Sequence, residues 1–238
     1  MDEITIQQRF IEKFNQLEKY LRYESRFDFD ESRYKNNIEN SKNRLIRTPK
    51  YKDILIIAGK IRNLITHNNN VVFPSKSFLD DFAILVDKII CPKLISEVMI
   101  PKNQCLIAEL NQTLFEVSTE MKNRRITTVP ITDNNKVIGV FSEISLFQSL
   151  INENGEIVHS LKESKFMDFI DAFKLESNTY FSYRFVRRDT NVYECLDYFE
   201  NGFINNKRLE LVFITENGNP MEYFLGIVSI FDLLEYLE

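Results

Sequence analysis

The chain has 238 residues, 44% of them hydrophobic and 27% charged, with a net charge of −5. That length is comfortable for two domains, and the balance is that of a soluble globular protein. The acidic total argues against a broad basic footprint for duplex DNA, and no run of about eighteen apolar residues offers a membrane span. Cys91, Cys105 and Cys195 form no CxxC pair, which excludes a zinc knuckle, and no other metal site is expected.

Twenty Phe and ten Tyr, with no Trp, give aromatic rings much of the core. Only 6 Gly and 6 Pro occur and no stretch is low in complexity, so long linkers are not expected. The odd cysteine count and the charged start MDEITIQQRF fit a cytoplasmic protein without a secretory leader. Two local basic stretches, Lys122 to Arg125 and Arg184 to Arg188, read as solvated surface.

In chain order, the first ninety or so residues read as helical. Phe10, Phe14, Leu17 and Leu21 make one apolar stripe at helical spacing. A more polar second helix is expected from about Phe29 to Arg47. Ile54, Ala58, Ile61 and Ile65 make a third stripe, which Asn68, Asn69 and Asn70 end. Pro74 and the start signal Ser77-x-x-Asp80 precede a fourth helix carrying Phe78, Phe82, Leu85 and Ile89. Pro92 follows, and the domain boundary is placed near Cys91 to Ser96, giving domains of 1–92 and 93–238.

Beyond the boundary short β-like runs alternate with helices: TTVPIT (127–132), VIGVFS (137–142), LELVFIT (209–215) and YFLGIVS (223–229). The order strand–helix–strand–strand–helix occurs twice, over about 97–153 and 166–238. VPIT at 129–132 is echoed by VFIT at 212–215, and GVFSEISLF at 139–147 by GIVSIFDLL at 226–234. Thr113-Leu-Phe-Glu116 and Asn191-Val-Tyr-Glu194 are matching capping signals upstream. The second copy is nine residues longer, five before VFIT and four in the turn from Asn217 to Tyr223, where loops absorb length at low cost.

Two β-α-β-β-α units that cannot each bury a sheet face alone should pack together. The arrangement resembles the CBS domain pair. That resemblance implies an α+β fold with two clefts and an adenine nucleotide (AMP, ADP, ATP or a cyclic dinucleotide) as ligand. It also implies a signature of Gly, two hydrophobic residues, Ser or Thr, two residues and Asp, the Asp holding the ribose hydroxyls. The chemistry agrees: a Ser at a strand–helix junction and an Asp one turn later share a side of the helix. In the second repeat Gly226, Ser229 and Asp232 keep the signature. In the first, Ser142 is kept but Ser145 stands where Asp belongs, so that site is expected to be weak or empty. The resemblance also points to Tyr183 and Arg184 as contacts to adenine and phosphate.

At the end of the third helix, Arg62-Asn-Leu-Ile-Thr-His67 resembles the Arg-Asn-x-x-x-His motif of HEPN domains, helical bundles that dimerise. Many members are metal-independent ribonucleases, which implies Arg62, Asn63 and His67 as catalytic residues acting on RNA. Asn63 and His67 share a helix face, while Arg62 and His67 stand about 140° apart on an ideal helix, so a second chain or a change at the helix end would be needed to join them. His67 would then move the proton and Arg62 would hold the phosphate charge. Asn69 stands where toxin-like members carry Tyr. His159 reads as surface. No P-loop, GxGxxG, GxSxG or HExxH occurs. Two functions follow: a nucleotide-gated ribonuclease, or a non-enzymatic nucleotide-responsive regulator. Both expect a homodimer.

Overall fold

The computed structural model describes residues 3–25, 34–67, 72–150, 160–204 and 206–237. Its contacts divide the chain between Lys93 and Leu94 into two compact units.

The first unit is helical: α1 (Glu3–Ser25), α2 (Tyr34–Asn40), α3 (Arg44–Arg47), α4 (Pro49–His67) and α5 (Lys76–Ile90). The stripe Phe10, Phe14, Leu17 and Leu21 is buried as its spacing requires. The polar second helix is broken in two after Asn40 because the Glu24 carboxylate intervenes. Its oxygens accept from the backbone N–H groups of Lys42 and Asn43 and from the Ser41 hydroxyl. Asn43 then caps α3 through the N–H groups of Leu45 and Ile46. On α4 the buried seam is Tyr51, Leu55 and Ala58, while Ile54, Ile61 and Ile65 lie at its half-buried flank. Gly59 lets α2 come close: a Cβ there would stand 2.6 Å from the Tyr34 ring. Helix α5 starts at Ser75, whose hydroxyl accepts from the Phe78 N–H, two residues before the expected Ser77. Asn68, Asn69, Asn70 and His159 lie outside the described residues.

The second unit holds two sheets. The first repeat contributes β2 (Ala108–Glu109), α6 (Leu114–Arg124), β3 (Thr128–Asp133), β4 (Lys136–Ser142) and α7 (Glu143–Leu150). A short helix α8 (Ile170–Phe173) precedes the second repeat, which runs β5 (Phe181–Arg187), α9 (Val192–Glu200), β6 (Phe203–Ile204), β7 (Lys207–Thr215), β8 (Gly226–Val228) and a terminal 3-10 helix, Ile230–Tyr236. One sheet has the order β2-β3-β4. In the other, β8 and β5 flank β7, β6 also pairs with β7, and an early strand, β1 (Ile100–Pro101), is added to the far side of β8. Both capping signals are used: Thr113 and Glu116 make reciprocal bonds, and the Asn191 side chain accepts from the Glu194 N–H.

The repeats are cross-covered. The start of the first repeat pairs with the last strand of the second, Pro101 opposite Gly226, and α8 packs on β4 of the first. This explains both signature glycines. A Cβ on Gly226 would stand 2.6 Å from the Ile100 carbonyl oxygen, and one on Gly139 would stand 2.5 Å from that of Phe173. Backbone cannot retreat as a side-chain tip can, so Gly226→Ala is expected to cost about 1–3 kcal/mol. Urea unfolding checks this; an unchanged midpoint would mean that β1 does not hold β8 at this distance. Two clusters fill the interior. Phe141, Phe166 and Phe173 close the first repeat. Val137 and Val140 from β4 meet Leu211, Phe213 and Phe224 where the two sheets face each other.

Candidate functional site

The last strand of the second repeat delivers Ser229 to the start of the 3-10 helix, with Asp232 one turn on. Asp232 Oδ2 accepts from both the Ser229 N–H and the Ser229 hydroxyl, each at 2.7 Å. Among the described residues no hydrogen bond reaches Oδ1, which leaves that oxygen for a ligand. The pair forms one end of a cleft of about 380 Å³. Ile100, Leu106 and Ile227 supply apolar wall; Arg125, Arg208 and Glu210 supply charge.

Arg125 reaches the cleft through backbone geometry. It follows α6 in the left-handed conformation, φ 56, and its N–H closes the helix on the Lys122 carbonyl. The chain then turns into β3, which puts Arg125, Ile126, Thr127 and Thr128 on the cleft wall. Part of the basic stretch that read as surface in the sequence therefore belongs to the site. The other stretch is largely engaged elsewhere: Arg187 makes two bonds of 2.8 Å to Asp189, and Arg188 lies 3.3 Å from Glu216. Cys105 also lines the cleft. Burial pushes its thiol up to about 11, with the Asp232 charge adding to the rise, which favours the neutral thiol over the thiolate.

In the first repeat Ser145 takes the place of Asp232 in the capping geometry and closes the site on itself. Its hydroxyl accepts from the Ser142 N–H at 2.7 Å and donates to the Ser142 carbonyl at 2.9 Å. Ser142 and Ser145 are 3% and 5% exposed, so neither offers an open acceptor.

Tyr183 and Arg184 are not among the residues lining the Asp232 cleft. The Tyr183 ring packs against the cluster between the sheets, and its hydroxyl accepts from the Asn178 side chain at 3.1 Å. Burial raises its phenol well above the usual range. The Arg184 guanidinium lies 3.7 Å from the centre of the Tyr198 ring, an exposed cation–π contact. In the helical unit the Arg62 guanidinium lies 5.9 Å from the centre of the Phe14 ring and donates to Asn63 Oδ1 at 3.4 Å. Asn63 is exposed. His67 ends α4, and its side chain is outside the described set. Among the described residues no cluster of His, Cys, Asp and Glu could hold a metal ion, and no helix is long and apolar enough to cross a membrane.

Two cross-covered β-α-β-β-α repeats, with a cleft lined by Ser229 and Asp232, define a tandem-repeat unit. Residues 95–152 and 182–238 match the family model described as the CBS domain, so the chain carries a CBS domain pair. Among solved structures it is similar to a CBS domain-containing protein of unknown function from Bacillus anthracis, at 14% identity and a TM-score of 0.44, covering 61% of this chain and 92% of that one. It is also similar to a putative signal-transduction protein with CBS domains from Burkholderia ambifaria, at 13% identity and a TM-score of 0.43, covering 61% and 93%. A third, CBSX2 in complex with AMP, has 15% identity and a TM-score of 0.39, covering 60% and 94%. No curated protein matches.

Proposed function

We propose that the CBS pair senses an adenine nucleotide in the cleft that ends at Ser229 and Asp232, and that the helical unit, as a homodimer, carries the response. The observation behind this reading is that one lining holds an acceptor with an open oxygen, Asp232, and two guanidinium groups, Arg125 and Arg208. A carboxylate suits two ribose hydroxyls, guanidinium suits phosphate, and the aliphatic wall suits a base. Ser142 and Ser145 supply no such acceptor, so the first repeat's site is weak or empty.

The regulator reading is favoured for the helical unit because the Arg62 guanidinium covers the buried Phe14 ring, a packing role. RNA cleavage by Arg62, Asn63 and His67 is the alternative, and the exposure of Asn63 is on its side. Calorimetric titration of the purified protein with AMP and with UMP tests the sensor; saturable heat with AMP and none with UMP is expected. Light scattering tests the dimer. The same preparation incubated with mixed RNA should leave it intact, and cleavage lost in His67→Ala would replace the regulator with a ribonuclease. No heat with any adenine nucleotide would overturn the sensor.

A further inference from the structure

Glu210 lines the cleft from the strand face it shares with Arg208, next to a fault in the β ladder. Strand β5 pairs with β7 in parallel, Ser182 opposite Leu209 and Tyr183 opposite Leu211, so Glu210 is the extra residue of a β-bulge. In an unbroken strand, successive side chains point to opposite faces. Here Glu210 and Leu211 line the same cleft, together with Arg208. Arg208 and Glu210, two residues apart, share a strand face, so a carboxyl stands on a wall that already carries a guanidinium, and the bulge adds Leu211 to it.

That carboxyl is half-buried, and among the described residues no hydrogen bond or ion pair satisfies it. Burial raises its proton affinity above the usual carboxylate range, and the nearby Arg208 charge opposes the rise. A half-buried carboxylate without a partner is a cost to the fold. Its position in the cleft gives that cost a use. Four charged side chains line the cleft, Arg125 and Arg208 against Glu210 and Asp232, so the lining is close to neutral overall.

We infer that Glu210 sets the charge class of the ligand: the cleft takes an adenine nucleotide with one phosphate and turns away those with two or three. The inference rests on the nucleotide reading above. With Asp232 bound to the ribose, Glu210 offsets one of the two guanidinium groups and leaves roughly one positive charge for the phosphate. A monophosphate, carrying about two negative charges, leaves an excess of about one, the smallest among the three nucleotides. Each further phosphate adds charge that this lining does not neutralise, in a cleft where water screens less than in bulk.

The test is titration of AMP, ADP and ATP, without divalent metal, into the full chain and into Glu210→Gln, Arg208→Gln and Asp232→Ala. The wild type is expected to prefer AMP over ATP by ~10-fold or more. Glu210→Gln should narrow that gap, because both nucleotides tighten and ATP, with more negative charge, tightens more. Arg208→Gln should widen the gap, which gives a second reading should Glu210→Gln fail to fold. Equal AMP and ATP affinity in the wild type, or an unchanged ratio in the variants, overturns the inference while AMP binding that is lost in Asp232→Ala leaves the sensor standing. If no adenine nucleotide binds, the sensor and this inference fall together.

Discussion

Phe141→Ala is expected to cost about 3–5 kcal/mol, the largest loss in the second unit from any one side chain considered. The ring is 1% exposed and meets Phe166 edge-on at 4.8 Å and Phe173 edge-on at 5.3 Å. Those three rings come from β4, the turn before α8, and α8 itself, so they join the first repeat to the segment that leads into the second. Truncating the central ring leaves a cavity that its neighbours cannot refill, because both are themselves fixed in the cluster. Hydrogen exchange at the β3–β4 amides should rise with a fall in the unfolding midpoint. A change below about 1 kcal/mol would mean that the cluster collapses readily and that the cross-cover is held elsewhere.

The repeat was legible because each copy writes the same alternation and the same Ser at a strand–helix junction. The α1 stripe was legible for a similar reason: Phe10, Phe14, Leu17 and Leu21 stand among polar neighbours, so the buried face has no rival. Helix α4 is different. Ile54, Leu55, Ile56 and Ile57 are apolar all round, the periodicity admits more than one face, and contacts with Tyr34 and α1 select Leu55 and Ala58. The break between α2 and α3 depends on Glu24, far back in the sequence, binding two backbone N–H groups.

In the site, Ser229 and Asp232 were legible as a local pair, and the loss of the carboxylate at Ser145 could be seen directly. Arg125, Arg208 and Glu210 could not, because each reaches the cleft through geometry that leaves no mark in composition. Arg125 depends on a left-handed helix end, and Arg208 and Glu210 on the face of β7 that the sheet turns to the cleft. The two-residue β1 was also invisible, since pairing with β8 bridges more than a hundred positions.

Asp232→Ala is expected to weaken adenine nucleotide binding by about 3 kcal/mol, ~100-fold, with a much smaller loss of stability. The figure follows from two charge-assisted hydrogen bonds to ribose at about 1.5–3 kcal/mol each, reduced by the cost of drying the carboxylate. Stability suffers less because Asp232 and Ser229 are only part-buried, so water can take over the Ser229 N–H and hydroxyl. Asp232→Asn separates the two roles. Its amide oxygen can still accept from Ser229 and keep the cap, but the group facing the cleft becomes neutral and partly a donor, so binding should fall nearly as far as in Asp232→Ala while the unfolding midpoint stays close to wild type. The matched change at the first repeat, Ser145→Ala, removes a buried hydroxyl that bonds only to Ser142 among the described residues, and should leave nucleotide affinity unchanged. Calorimetry on the three variants decides it: a loss confined to position 232 locates the ligand in the second repeat's cleft, and an equal loss at position 145 would locate a ligand at the first repeat as well, against the sealed geometry of its two serines.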